Sequence, residues 1–271
     1  MDFFVNLHPA LQALLLGMFT FGMTALGAAV VLFFKSLPKK ISAVLLGFSA
    51  GVMTAAVFWS LLAPAVEISR ELNQIPWLTA AAGFLCGGAF LILINNIATR
   101  ILDKRDKSSF GEVSASPKAS RRSVLLALAV TMHNIPEGLA VGVAIGSAAA
   151  GLSSVSVVGA VMVAVGIGIQ NFPEGAAIAL PLRSDGLSRK KSFFIGAISG
   201  AVEPVFAVIG ALLVAAVRTI LPFALAFSAG AMIYVVVREL IPDSQNGKSA
   251  APATIGMLIG FTLMMILDVA L

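Results

Sequence analysis

Charge is what this 271-residue chain has least of. Only 11% of its residues are Asp, Glu, Lys or Arg, against about 25% in ordinary soluble proteins, while 59% are hydrophobic. The mean hydropathy is +1.00. So few charges cannot cover a water-facing surface around a compact core, which excludes a soluble enzyme and a disordered tail. The single cysteine, Cys86, excludes an internal disulfide and with it a disulfide-stapled secreted domain. Set in an apolar run, Cys86 reads as a small buried hydrophobe. A cleavable signal peptide is not expected, because the first apolar run is long and its flank carries Asp2 rather than Lys or Arg.

What the chain has instead is long apolar runs. A membrane-crossing helix needs about 20 mostly apolar residues. Eight segments qualify: 9–34, 41–63, 77–99, 123–147, 155–182, 192–217, 220–241 and 251–271. They are too long for barrel strands and lack period-two alternation, so helices are implied. The expectation is one all-α polytopic membrane domain over 1–271, embedded in a lipid bilayer. Segment 100–122 is its one sizeable loop: Ser-, Lys- and Arg-rich, without apolar periodicity, and read as flexible. Contact with a partner or with lipid headgroups is the sharper alternative for it.

The basic pI of about 9.7 is a topology signal rather than a nucleic-acid one. Sixteen of the eighteen Lys and Arg residues fall on one side of these spans, leaving only Arg70 and Arg218 on the other. The positive-inside rule assigns the rich side to the cytoplasm and both termini to the outside.

The second and seventh runs repeat one another. Phe48-Ser-Ala-Gly-Val-Met53 recurs as Phe227-Ser-Ala-Gly-Ala-Met232 at an offset of 179, and the same offset takes Ser60 to Glu239. The two spans run in opposite directions, so the repeat is inverted and relates spans 1–3 to spans 6–8 around a central pair. Inverted repeats mark transporters, in which exchanging the conformations of the halves switches access from one side to the other. Ser60 falls near the outer end of its helix and Glu239 near the inner end of its own. Both suit the mouths of a pathway, or a capping serine and an interfacial carboxylate.

Ten of the thirteen acidic residues map to the membrane surfaces; Glu137, Glu174 and Glu203 do not. An ionised group at mid-bilayer costs at least about 2.5–3.5 kcal/mol, so three cost roughly 8–10 kcal/mol unless offset. A divalent cation, protonation or a hydrated cavity would do so, and the neighbours favour the cation. The fourth span reads His133-Asn-Ile-Pro-Glu137-Gly138 and the fifth Gln170-Asn-Phe-Pro-Glu174-Gly175. In each, the first residue and the Glu lie four apart on one helical face, bordered by Asn134 or Asn171. The prolines each remove a helical hydrogen bond beside the carboxylate. Counted from the cytoplasmic boundary, His133, Glu174, Glu203 and Met53 lie roughly 12–18 Å deep, in the middle of a core about 30 Å thick. Imidazole, carboxylate and amide ligands suit Zn²⁺ and Fe²⁺, then Mn²⁺ or Co²⁺. Without a thiolate the site stays reversible. Met53 fits ordinary apolar packing equally well, and His8 reads as an interfacial, solvated residue.

At these residues the chain resembles the ZIP (Zrt/Irt-like protein) family of divalent-metal transporters, in particular its prokaryotic branch. The resemblance rests on His133-Asn-x-Pro-Glu-Gly138, Gln170-Asn-x-Pro-Glu-Gly175 and Gly200-Ala-Val-Glu-Pro204, and extends to all eight spans. It implies a 3+2+3 helix arrangement, a homodimer in a bacterial inner membrane, and alternating-access movement of zinc, or of iron, manganese, cobalt or cadmium, toward the cytoplasm. One metal position would use His133, Glu137, Gln170 and Glu174. A second would use Asn134, Glu137, Asn171, Glu174 and Glu203, with Glu137 and Glu174 bridging. Met53, Ala56 and Ser60 match an outer entrance, and Glu239 an inner exit. Two departures stand out. The loop 100–122 lacks the histidines that many relatives carry, and Asn171 stands where some have Asp, which lowers the negative charge of the second position.

No organic cofactor and no nucleic-acid partner is expected. A metal-selective channel is the alternative within transport. An intramembrane metalloenzyme would need a second histidine, as in H-E-x-x-H, and the spans hold only His133.

Overall fold

The computed structural model describes the backbone of residues 2–108, 117–149, 156–184, 186–245 and 250–270. Within these, the side chains of 2–3, 98–99, 101–108, 117–130, 132–133, 215–216, 218 and 270 lie outside the description. Every regular element among the described residues is helical. Helix α1 spans Pro9–Ala28 and is carried on by Val30–Phe33. Pro9 stands in its first turn, where a missing N–H costs nothing. His8 caps it: the Ala10 N–H donates to His8 Nδ1 at 3.3 Å. Helix α2 runs Lys39–Ala56, passes through a π-helical turn at Val57–Leu62 and resumes as Ala63–Glu71. Helices α3, Pro76–Ser108, α4, Pro117–Ala149, and α5, Val157–Ser184, follow.

Helix α6 is broken. Arg189–Ser199 ends at Gly200, and Val202–Ala216 begins afresh with Glu203 in its first turn. There the carboxylate faces the positive end of the helix dipole. Helix α7 runs Leu221–Val235, then a π-helical turn at Val236–Leu240, then Ile241–Ser244. Helix α8 spans Ala250–Ala270. The two π-helical turns begin 179 residues apart, the offset of the sequence repeat. Each contains one of the two repeat-related polar residues, Ser60 and Glu239.

Seven of these helical stretches are long and apolar enough to cross a membrane, among the residues that could be judged. The chain is an all-helical, multi-pass membrane protein. The expected fourth span falls on α4, whose first fourteen side chains lie outside the description. The expected loop at 100–122 is shorter than its composition suggests. Helix α3 continues to Ser108 and α4 starts at Pro117, because Ala, Lys and Arg favour helix and a helix need not stop at the membrane surface. The remainder, 109–116, lies outside the described residues. The reading of Cys86 as buried in protein is corrected: its side chain is exposed on α3. Trp77, Leu78, Leu85, Ile92 and Leu93 are exposed on the same helix, so the apolar run there faces lipid rather than a protein core.

Helix α8 packs along α2 and α3 along α7; α4 packs on α6 and α5 on α1. The crossings use glycine in matched places. Gly256 and Gly260 of α8 lie against the carbonyls of Val44 and Phe48. Gly83 and Gly87 of α3 lie against those of Phe223 and Phe227, each 179 residues further on. Without a hydrophobic force between helices in lipid, such close backbone approach is what makes packing favourable.

Candidate metal site

Helices α4 and α5 cross at the two proline-containing elements, and both remain helical through Pro136 and Pro173. The glycine after each carboxylate permits the crossing. A Cβ on Gly138 would lie 2.5 Å from the Glu203 carbonyl oxygen of α6, and one on Gly175 would overlap the Thr24 carbonyl of α1. Thr24 and Glu203 are themselves 179 residues apart. The two Pro-Glu-Gly elements are thus seated on repeat-related residues, and that close seating brings the carboxylates together.

Asn134, Glu137, Gln170, Asn171, Glu174 and Glu203 are all buried. Gln170 Nε2 donates to Glu137 Oε1, joining α5 to α4, and also lies 3.2 Å from Asn171 Oδ1. Asn171 Nδ2 donates to Glu203 Oε2 at 2.8 Å and to the Thr20 carbonyl at 3.3 Å. The Thr24 hydroxyl donates to Glu203 Oε1 at 3.0 Å. Asn134 Nδ2 donates to the Ser199 carbonyl at 2.8 Å. From α2, the Ser49 hydroxyl donates to the Gln170 carbonyl at 2.8 Å.

Three buried oxygens at this crossing have no hydrogen-bond partner: Glu137 Oε2, Gln170 Oε1 and Glu174 Oε1. A buried acceptor left unsatisfied costs about 1–3 kcal/mol, and more when charged. All three are acceptors, so a cation satisfies them together. Among the described residues, no three His, Cys, Asp or Glu side chains group closely enough to hold a metal by themselves. The amide oxygen of Gln170 therefore has to count as a ligand. His133 lies on α4 one turn before Glu137, and its imidazole is outside the described side chains.

The expected pathway residues are more dispersed. Met53 is buried in the main apolar cluster with Val57 and Leu61, whereas Ala56 packs with Val52, Ala55 and Met264. The Ser60 hydroxyl donates to Asp268 Oδ1 on α8 at 2.7 Å, a pairing the sequence did not reveal. Glu239 is half-buried between Arg238 and Asp243, within electrostatic reach of Glu174. Thr20, Thr24, Ser49 and Ser199 also escaped sequence reasoning, although the Thr20–Ser199 and Thr24–Glu203 offsets repeat the 179 of the Phe-Ser-Ala-Gly motif.

Comparison with known proteins bears on the same elements. The family described as ZIP Zinc transporter matches residues 115–268, which include both Pro-Glu-Gly elements and Glu203. The chain belongs to the ZIP family. It is 39% identical to "Zinc transporter ZIP11" of Xenopus tropicalis, over 97% of this chain and 98% of that one. It is 36% identical to "Zinc transporter GufA" of Myxococcus xanthus, over 92% and 94%. Against "Zinc transporter ZIPB" of Bordetella bronchiseptica the identity is 33%, over 96% of this chain and 81% of the relative. The family is one of transporters, which sets aside the metalloenzyme reading.

Proposed function

We propose that this ZIP-family chain transports divalent metal, zinc first, across the membrane toward the cytoplasm by alternating access. The observation that carries the reading is the trio of unpartnered acceptors, Glu137 Oε2, Gln170 Oε1 and Glu174 Oε1, buried where α4 crosses α5. His133, one turn from Glu137, would add an imidazole from the same face. Carboxylate, amide and imidazole bind first-row divalent ions without the tenacity of a thiolate site, so the ion can leave. Iron, manganese, cobalt and cadmium are the competing cargoes, and no organic cofactor is required. The relatives that match over nearly the whole chain carry zinc transporter names, which supports zinc.

The repeat supports the mechanism. Helices α1–α3 and α6–α8 meet the central pair through matched contacts 179 residues apart, at Thr24 and Glu203 and in the α2–α8 and α7–α3 crossings. In an inverted repeat, two such halves exchange conformations at little net cost and open the site alternately to either side. The eight spans would then form a 3+2+3 arrangement with both termini outside, in a bacterial inner membrane, as a homodimer. Met53, Ala56 and Ser60 would line the outer approach. Glu239, within reach of the Glu174 charge, would receive the ion at the inner mouth.

The test is radiolabelled zinc uptake by proteoliposomes containing the full chain. Glu137→Ala or Glu174→Ala should abolish saturable uptake while the protein still inserts. Wild-type uptake in either variant would remove the site from the pathway, and flux that neither saturates nor shows counterflow would turn the carrier into a channel.

A further inference from the structure

The family resemblance implies a second metal position beside the first, formed by Asn134, Glu137, Asn171, Glu174 and Glu203. The hydrogen bonding at that place has a different logic. Asn171 Nδ2 lies 2.8 Å from Glu203 Oε2 and 3.3 Å from the Thr20 carbonyl oxygen. A backbone carbonyl can only accept, and the other Glu203 oxygen already takes the Thr24 hydroxyl at 3.0 Å. The chemistry therefore fixes the amide orientation: turned over, Asn171 would aim an oxygen at two acceptors. In the orientation seen, Asn171 Oδ1 faces the Gln170 amide nitrogen, 3.2 Å away.

The equivalent residue on α4 is used the same way. Asn134 Nδ2 donates to the carbonyl of Ser199, which is 179 residues after Thr20. Both asparagines thus turn nitrogen, not oxygen, toward the flanking helices. Glu203 is fully buried, yet neither of its oxygens is among the unpartnered ones, whereas Glu137, Gln170 and Glu174 each leave one open. The unmet demand for positive charge is confined to the first position.

We infer that this protein carries one transported ion per chain, and that the Asn171 amide stands in place of a second cation, bridging Glu203 and the Thr20 carbonyl. The clasp ties α5 to α1 and α6 without metal, and Asn171 is the residue that sets the metal count. The inference rests on the transport-site reading above. Aspartate at 171 would present only acceptors to Glu203 and to Thr20, a geometry that calls for a cation. Asparagine supplies the two N–H groups itself.

The experiment counts zinc on the full-length protein, purified in detergent, stripped with chelator, re-equilibrated with zinc and freed of excess by gel filtration. Glu137→Ala/Glu174→Ala serves as the blank for adventitious ions. Above that blank, wild type should hold one zinc per chain and Asn171→Asp two. The metal-free Asn171→Asp protein should also melt below wild type and gain more from added zinc. Two ions on wild type, or one on a folded Asn171→Asp, would overturn the inference and leave the transport site standing. No ion on wild type would overturn the site reading as well. Should Asn171→Asp fail to fold without metal, the wild-type count decides alone.

Discussion

Replacing Thr24 by valine keeps the shape of the side chain and deletes one hydroxyl. That hydroxyl donates to Glu203 Oε1 at 3.0 Å, across the α1–α6 contact, with both residues buried. Two magnitudes bracket the loss. Interhelical side-chain bonds in membrane proteins average only about 0.6 kcal/mol and reach about 1.7. A buried acceptor deprived of its donor costs about 1–3 kcal/mol. Glu203 keeps the Asn171 bond on its other oxygen, so the carboxylate is not stripped bare. The cost of Thr24→Val should therefore be about 1–2 kcal/mol, above the membrane average and below a full desolvation penalty. Thr54→Val is the control. Its hydroxyl donates back to the Ala50 carbonyl within one helix, at 2.7 Å, and touches no second helix. Its loss should stay within about 0.5 kcal/mol. The assay is reversible SDS or thermal unfolding of both variants in one detergent, without metal. A Thr24→Val protein no less stable than Thr54→Val would refute the claim that this bond clasps the repeat halves together.

Other consequences follow from the same contacts. Gly138→Ala and Gly175→Ala each drive a Cβ into a backbone carbonyl that no rotamer change can move, so each should cost about 1–3 kcal/mol and lower zinc uptake. Gly22→Ala, with nothing within 4 Å, should leave unfolding and uptake unchanged; equal losses in all three would show that close packing is not the cause. Cys86 is exposed on the lipid-facing side of α3. In intact vesicles it should react with a membrane-permeant maleimide and resist a charged one, and rapid labelling by the charged reagent would place α3 against water.

The helices were legible because the bilayer imposes a one-dimensional rule: a fixed length of apolar sequence, read directly from residues such as 77–99 and 192–217. The paired Pro-Glu-Gly elements were legible because three carboxylates in such runs are costly and therefore conspicuous. Other features carried no such mark. The break in α6 falls at Gly200 and Ala201, small residues among many in an apolar run. The π-helical turns arise from how α2 and α7 pack, and Val57–Leu62 has no composition that separates it from ordinary helix. Thr20 and Thr24 looked like routine span residues, since their role depends on which helix α6 lies beside. The tail of α3 was misjudged because polar, basic sequence was taken to mean loop, although such residues also make good helix outside the membrane.

What distinguishes the two halves is more informative than what they share. The matched glycine crossings and π-helical turns give α1–α3 and α6–α8 nearly the same frame. Their polar residues differ at the very positions where the frames correspond. Thr24 answers to Glu203, and Ser60, bonded to Asp268, answers to the carboxylate of Glu239. On the central pair, His133 answers to Gln170. A frame with equivalent halves makes the outward- and inward-open states close in energy, as a carrier requires. A ligand shifts such an equilibrium only through its unequal interaction with the two states. In the proposed cycle that inequality resides in these unmatched side chains: one carboxylate of the clasp on α6 with none opposite on α1, and a carboxylate at the inner mouth with a hydroxyl at the outer. Exchanging the pair, as Ser60→Glu with Glu239→Ser, should therefore change which side of the membrane the empty carrier favours while leaving the zinc count at the crossing of α4 and α5 intact.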